Sequence, residues 1–559
     1  MDKRKVLIGV AWPYVNGNLH IGHLAGYLLP ADISARFHRL IGDDVLMVSG
    51  SDCFGTPITV EADKKGVTPL EVVNEYHEKD VKLFTEILGL SYDLYTKTNH
   101  PNHIKITQEL FLKLLEQDYI FIDSTQQYYS PSENKFLPDR YVIGKCPFCG
   151  FDDSRSDQCD NCGKLIDQGT LINPKSNLTK QPVELKETEH YFLDWPKLQP
   201  FLQKYIEKKG GSWKEWVKNE TSGWLREGLK PRAITRDLDW GVPLPVDQMP
   251  PDKVIKGVEN KRIYVWFDAV IGYLSASIQW SQEQNKSWEA FWHDGDIPLK
   301  HYYFMGKDNL VFHTLFWPGQ LHGYDEKLHL PDVVSINMFL NFKGKQFSKS
   351  RGVVIDTEEI VKKYGNNPVR FYLTLIMPEY RDSSFTWEDF EEKVNGILIA
   401  TLGNFIHRIL SIAKNEKTAI FQDRTVSVEV DKLITKAFED AYTHLENCEF
   451  KAYLDSILEI AQYGNKVINE VELWSLKGKD EDAYAQVLYD LMLCIVGLGY
   501  LMSPLLPEAS VTLLTQLGIK EESWPEADKA SGVLQNVLKT ITLPTKPEPL
   551  FQKIEVIKE

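Results

Sequence analysis

KVLIGVAWPYVNGNLHIGH, residues 5–23, is the stretch that decides the fold. Residues 5–11 form an unbroken apolar run bounded by charge, the pattern of a parallel strand buried on both faces. Pro13, Asn16 and Gly17 supply a turn, and a helix-like segment follows over residues 21–40. A second buried strand reads at 44–48 and ends in Gly50, Ser51 and Asp52. Strand, loop, helix, strand opens a doubly wound α/β domain, where ligands bind at the carboxyl ends of the strands.

Further along, helical segments read at 68–88 and 103–116. After Ile120 the texture changes to short strands, turns and a cysteine cluster, and this insertion ends near Pro231. The α/β texture returns at 261–267 and 301–305. From Trp387 the sequence is helical almost to Leu517, with helices starting near Trp387, Asp431, Tyr453, Asp482 and Ser510, as in an α-bundle. The expected fold class is α/β: a doubly wound parallel catalytic domain with a cysteine-bearing insertion, followed by an α-helical bundle. The boundaries read as 1–118 and 231–335 for the two catalytic halves, 119–230 for the insertion, 336–390 for a loop-rich connection, 391–545 for the bundle and 546–559 for a tail.

The length of 559 residues exceeds what one hydrophobic core supports, so several domains are expected. The net charge of −16 argues against a dedicated nucleic-acid binder but not against a local basic path. Lys343, Lys345, Lys349 and Arg351 are candidates for one. The first residues lead straight into a strand-like run rather than a signal peptide. The longest apolar stretch, residues 491–506, is short for a membrane span and is broken by Ser503 and Pro504, so it reads as a core helix. A cytoplasmic protein without membrane contact is expected.

His20-Ile21-Gly22-His23 stands where the first strand turns into a helix. Two imidazoles three residues apart face one side, and Gly22 lets a flat ligand approach the backbone. A helix N-terminus adds N–H groups and partial positive charge, which suits the phosphates and base of ATP. The bland alternative is a capped helix start with two surface histidines. Phe347-Ser348-Lys349-Ser350-Arg351 places a lysine between two hydroxyls, and Lys349 there can offset charge on a leaving pyrophosphate. Alone, such a stretch is more often a solvated basic loop. Cys146, Cys149, Cys159 and Cys162 form C-x2-C-x9-C-x2-C. Two such knuckles complete a tetrahedral four-thiolate site, which is closed and therefore structural if it holds Zn²⁺. Two disulfides or free thiols are the alternative.

These segments resemble the HIGH and KMSKS signatures of class I aminoacyl-tRNA synthetases. WPYVNGNL, residues 12–19, is similar to the branch for Met, Ile, Val and Leu. GSD and GTPI at 50–52 and 55–58, YVWFDAVIGY at 264–273, and GKDN with FHTLFWP at 306–309 and 312–318 resemble the methionyl-tRNA synthetases, of the archaeal type. The resemblance runs in order from residue 5 to about residue 540 and implies a Rossmann-type catalytic fold. It implies ATP contacts by His20, Gly22, His23, Gly306, Lys307, Asp308, Ser348 and Lys349. The reaction it implies joins two anions and needs donors and cations, for which His20, His23, Lys349 and Arg236 are the catalytic candidates.

For methionine the resemblance implies a pocket of Trp12, Tyr14, Trp266, Ala269, Val270, Tyr273, Phe312, His313 and Trp317, with Asp52 on the ammonium. A thioether sits well against aromatic rings. It implies anticodon reading by Asn404, Arg408, Asn465, Asn469 and Trp474, a zinc-stabilised knuckle, Mg²⁺ with ATP, and tRNA(Met) as the acceptor. A bulky editing domain does not fit between His23 and Lys349, which favours methionine over the sister amino acids. A monomer is expected. The family's first KMSKS lysine is Gln346 here, with Lys345 one place earlier. Cys53-Phe54 stands where an acidic residue or alanine precedes a histidine in the family. Rival readings are a synthetase for another amino acid, a nucleotidylyltransferase without tRNA, and a non-catalytic paralogue.

Overall fold

A computed structural model gives the fold and describes residues 3–138, 141–156, 159, 161–162, 166, 169–346, 354–520 and 523–556. Five parallel strands make the central sheet, in spatial order Val333–Asn337, Leu299–Gly306, Lys5–Val10, Asp44–Ser51 and Leu94–Lys97. From Lys5–Val10 the chain winds one way through the next two strands. After the insertion it winds the other way through the last two. The reversal falls between Lys5–Val10 and Leu299–Gly306, and it opens a crevice at their carboxyl ends. All but the first residue of Lys5–Val10 are buried, which is why its pattern does not alternate.

The predicted helix at 21–40 is helical throughout, with one wide turn at Leu24–Leu28. The second strand runs three residues past its predicted end, to Ser51. The strand expected at 261–267 stops at Ile263. It belongs to a small antiparallel sheet with Thr235–Asp237 and Val242–Pro243, and a short helix, Val265–Asp268, replaces its second half. The Tyr264 amide donates to Ile234, and the Tyr264 carbonyl accepts from Phe267 and Asp268, so the backbone turns there.

The insertion is built on a long antiparallel ribbon, Ile120–Ser130 against Glu184–Leu193. A three-stranded sheet with the cysteines hangs from it. Helices Trp195–Lys209 and Glu215–Glu227 return the chain to the catalytic sheet. The C-terminal part is helical: Val428–Glu446, Phe450–Val471, Glu481–Leu501 and Pro507–Gln516 are its main members. Glu481–Leu501 is long and apolar enough to cross a membrane, but 89% of its apolar window is buried in the bundle, as a core helix requires. Trp387–Ala413 passes the same test with 39% buried, and packs Phe405, Ile406, Ile409 and Leu410 inward. The tail beyond Pro544 is packed: Phe551 and Ile554 are buried, and Asn395 brackets the Ile554 backbone with two hydrogen bonds.

Candidate active site

A cavity of about 560 Å³ opens at the switch point of the sheet. Its wall contains the predicted His20, Gly22, His23, Gly306 and Asp308 at one end. Trp12, Tyr14, Asp52, Trp266, Ala269, Val270, Tyr273, Phe312 and His313 form the other. Segments far apart in sequence therefore meet because each leaves the carboxyl end of a central strand or packs on one.

The histidine turn is held by its own rings. His20 Nδ1 accepts from the Gly22 amide at 3.2 Å, and His23 Nδ1 accepts from the His20 amide at 3.1 Å. The Ile21 amide donates to Ile355 and the His23 amide to the His20 carbonyl. The expected free amides of this first turn are thus already committed, and the turn offers imidazoles instead. The two rings lie 3.9 Å apart. Asn18 and a backbone bridge to His20 fix Asp356 beside the turn. On the other side of 347–353, Lys345–Gln346 pairs with Asn341 and Phe342. Ser348 and Lys349 lie outside the described residues; the chain before them follows the wall residue Leu340, and the chain after them meets the wall residue His20 through Asp356.

At the aromatic end, Trp12 is clamped between two glycines. A Cβ at Gly50 would stand 2.3 Å from the indole, and one at Gly272 would stand 2.5 Å away. Tyr273 OH donates to His313 Nε2 at 2.7 Å, because His313 Nδ1 faces the Asn309 carbonyl at 2.9 Å and carries the proton. Burial pushes His313 down to about 4, so it is neutral. Trp266 is 43% exposed at the mouth, and its indole N–H donates to Tyr14 OH at 3.2 Å.

The carboxylates are the unusual part. Asp52 is 3% exposed and, among the described residues, accepts only a long bond from the Phe54 amide, 3.4 Å. Asp268 is fully buried, with one oxygen 3.4 Å from His103 and the other unpartnered. Burial raises both far above the usual carboxylate range, and Asp268 raises Asp52 further. Burial also pushes His103 down to about 3, so it supplies no counter-charge. Among the described residues no cation pairs with these two carboxyls, and Asp52, which lines the cavity, offers a site for one.

Some predicted residues stand elsewhere. Trp317 is fully buried behind the wall and donates to Tyr303 OH at 3.1 Å. Arg236 donates to the carbonyls of Ala233 and Thr235 and stacks on Tyr264, outside the wall. Lys307 is exposed beside Gly306 and is not part of the wall either. Cys53 and Phe54 are buried: Trp240 donates to the Cys53 carbonyl and packs on the Phe54 ring, so the pair fills core. Reading the sequence missed Tyr27, Asn309, Met338, Phe339 and Leu340 in the wall, and Asp268, which is fully buried and does not line it. Asp268 had a signal, a lone carboxylate inside an aromatic run.

The four cysteines are thiols whose sulfurs all lie within 4.8 Å of one another, with closest pairs at 3.9 and 3.6 Å. A tetrahedral zinc site with Zn–S near 2.3 Å separates its sulfurs by about 3.8 Å. The donor set fits such an ion, and disulfides are excluded. In the helical part, Arg408 donates to Asn469 at 3.3–3.4 Å, while Asn404 and Trp474 are exposed. The Asn465 amide is committed to the Thr401 and Ala461 carbonyls. Leu473, where the family often has proline, is a buried anchor next to Trp474.

Comparison with known proteins gives a consistent result. The family described as class I tRNA synthetases (M) matches residues 6–410, and the anticodon binding domain of methionyl tRNA ligase matches residues 423–558. A methionine–tRNA ligase of Roseiflexus castenholzii is 44% identical, covering 98% of this chain and 96% of the relative. One from Dehalococcoides mccartyi is 42% identical over 99% and 97%. The Mycobacterium tuberculosis methionyl-tRNA synthetase solved with methionyl-adenylate shares the fold, with a TM-score of 0.76 at 22% identity over 98% and 99% of the two chains. These relatives support the family and not the archaeal type. A cavity at the switch point, a closed thiolate knuckle and a matching helical domain converge on one conclusion: the chain belongs to the methionyl family of class I tRNA synthetases.

Proposed function

We propose that this cavity activates methionine with ATP and then passes it to the 3′ end of tRNA(Met). The observation that carries the reading is the buried carboxyl of Asp52, with Asp268 behind it, at the aromatic end of a cavity whose other end holds His20 and His23. The methionine ammonium pairs with Asp52. Its thioether packs among Trp12, Trp266, Tyr273 and Phe312. Neutral Tyr273 and His313 are already bonded to each other, so they present no unpaired polar atom to the sulfur.

The first step is attack of the methionine carboxylate oxygen on the α-phosphorus of ATP. An O–P bond forms, and the bond to the β-phosphate oxygen breaks with release of pyrophosphate. The nucleophile is already ionised, so no general base is needed. The barrier is alignment and charge. His20 and His23 meet the phosphates, Gly22, Gly306 and Asp308 border the nucleotide, and Lys349 offsets charge on the leaving group. In the second step a terminal ribose hydroxyl attacks the acyl carbon and AMP departs. Asn404, Arg408, Asn469 and Trp474 serve the anticodon, with the indole available for stacking.

Mg²⁺ enters with ATP to neutralise phosphate charge. Zn²⁺ on Cys146, Cys149, Cys159 and Cys162 braces the insertion. The protein works in the cytoplasm as a monomer, divided at the boundaries read above. The test is amino-acid-dependent ATP–pyrophosphate exchange across all twenty amino acids, with and without Lys349→Ala. Methionine alone is expected to support exchange, and the variant is expected to lose it. Exchange with a different amino acid, or with none, overturns the reading.

A further inference from the structure

The strand Val333–Asn337 lies at the edge of the parallel sheet, and an edge needs cover. The turn between the two return helices supplies it. At the strand's entry, Ser212 Oγ and the Trp213 indole both donate to the Asp332 carbonyl, at 2.8 and 3.0 Å, and Lys209 pairs with the Asp332 carboxylate. At its exit stands Lys214 alone. Its ammonium donates to the Ile336 carbonyl at 3.1 Å, to Asn337 Oδ1 at 3.0 Å and to the Glu379 carbonyl at 2.9 Å.

Those three oxygens belong to segments that must agree for the cavity to have its shape. Asn337 is 1% exposed, and its amide donates to the Ala25 carbonyl in the helix that begins at the histidine turn. Asn337 also pairs in register with Gly306. The next residues, Met338, Phe339 and Leu340, are cavity wall, and the Met338 amide donates to Pro378. Glu379 is 4% exposed, and its carboxylate accepts from the Lys451 amide at the start of a bundle helix. One amine thus joins the return helices, the exit of the edge strand, and the segment on which the bundle rests.

We propose that Lys214 is a positioning residue for the nucleotide half of the cavity. It fixes the exit of the edge strand against Gly306 and the histidine helix, and so sets the wall formed by Met338, Phe339 and Leu340. The effect is directional. The aromatic end is built on Trp12, Trp266 and Tyr273, none of which touches this junction. The inference rests on the assignment of the His20–Gly306 end to ATP. Burial pushes Lys214 down to about 8, with Glu379, Cys448 and Glu449 acting the other way, so its charge is held by these partners rather than by water.

The experiment is steady-state ATP–pyrophosphate exchange with the full-length enzyme, varying ATP and methionine separately, for wild type, Lys214→Met and Lys209→Met. Lys214→Met is expected to raise KM for ATP about tenfold and to leave KM for methionine within about twofold. Lys209→Met loosens the same strand at its far end and is expected to lower the melting temperature without moving either KM. Should Lys214→Met prove insoluble, Lys214→Gln, which keeps one donor, is expected to show the same split at smaller size. Equal shifts in both KM values, or none, overturn the positioning role. Absence of methionine-dependent exchange in the wild type overturns instead the reading of the cavity itself.

Discussion

Two regions of this molecule bury carboxylates and treat them in opposite ways. Where the catalytic fold meets the bundle, Asp32 is fully buried, yet Arg370 reaches it at 2.8 Å, Arg36 at 2.9 Å, and the Ser91 amide and hydroxyl at 2.8 Å each. Burial alone would raise its pKa, but the two guanidinium groups overcome that and hold it below the usual range. At the cavity, Asp52 in the wall and Asp268 behind it are also buried and, among the described residues, face no cation, so burial holds both high and Asp268 raises Asp52 further. Both places carry the desolvation penalty; only the junction offsets it within the protein. A buried carboxylate left in deficit marks a place where a ligand completes the structure.

Arg370→Met should break the comparison most strongly. It leaves Asp32 short of its main partner and removes the donors to the Pro504 and Leu505 carbonyls. A loss of about 3–5 kcal/mol of stability is expected in denaturant unfolding, and a loss below 1 kcal/mol would mean that the junction charges are not structural. Asp52→Asn sharpens the other side. Exchange with methionine should fall on the order of 100-fold, about 2.7 kcal/mol of transition-state stabilisation. Melting temperature at pH 7 should hold or rise. A carboxyl whose folded pKa lies above its unfolded value destabilises the fold once pH exceeds the unfolded value, and asparagine removes that charge.

Acid gives the gentlest contrast. Asp32, Asp43 and Glu446 are held low in the folded protein, in each case because charged partners outweigh burial. Their stabilisation is present above the unfolded carboxylate range near pH 4 and is lost as pH falls through their folded values. Each contributes a slope of at most about 1.4 kcal/mol per pH unit. Asp52 and Asp268 act with the opposite sign, losing stability as pH rises. Melting curves from pH 7 to pH 3 on wild type and Asp52→Asn separate the two sets. The variant should show the steeper acid loss, and parallel curves would remove Asp52 from the deficit.

The histidine turn, the cysteine spacing and the helical C-terminal texture were legible because each is a local pattern. His20 and His23 are three residues apart, and the fold only had to keep them so. The aromatic wall was legible through family likeness, since aromatics by themselves suggest core. Asp268, Met338 and Lys214 were less accessible. Their roles depend on partners 122–165 residues away for Lys214 and 165 for Asp268 with His103. Trp317 and Arg236 show the converse: motif membership placed Trp317 at the site and the reaction's need for cations placed Arg236 there, but packing drew Trp317 behind the wall and Arg236 bonds to the Ala233 and Thr235 carbonyls.

By itself the sequence determined which elements form, since apolar runs, turn residues and helical periodicity act over a few neighbours, and it determined the thiolate set through spacing alone. Tertiary structure decided which side chains face the cavity and which carboxylates go unpaired. Those outcomes depend on burial and on charges brought together from distant segments, and no local pattern encodes either.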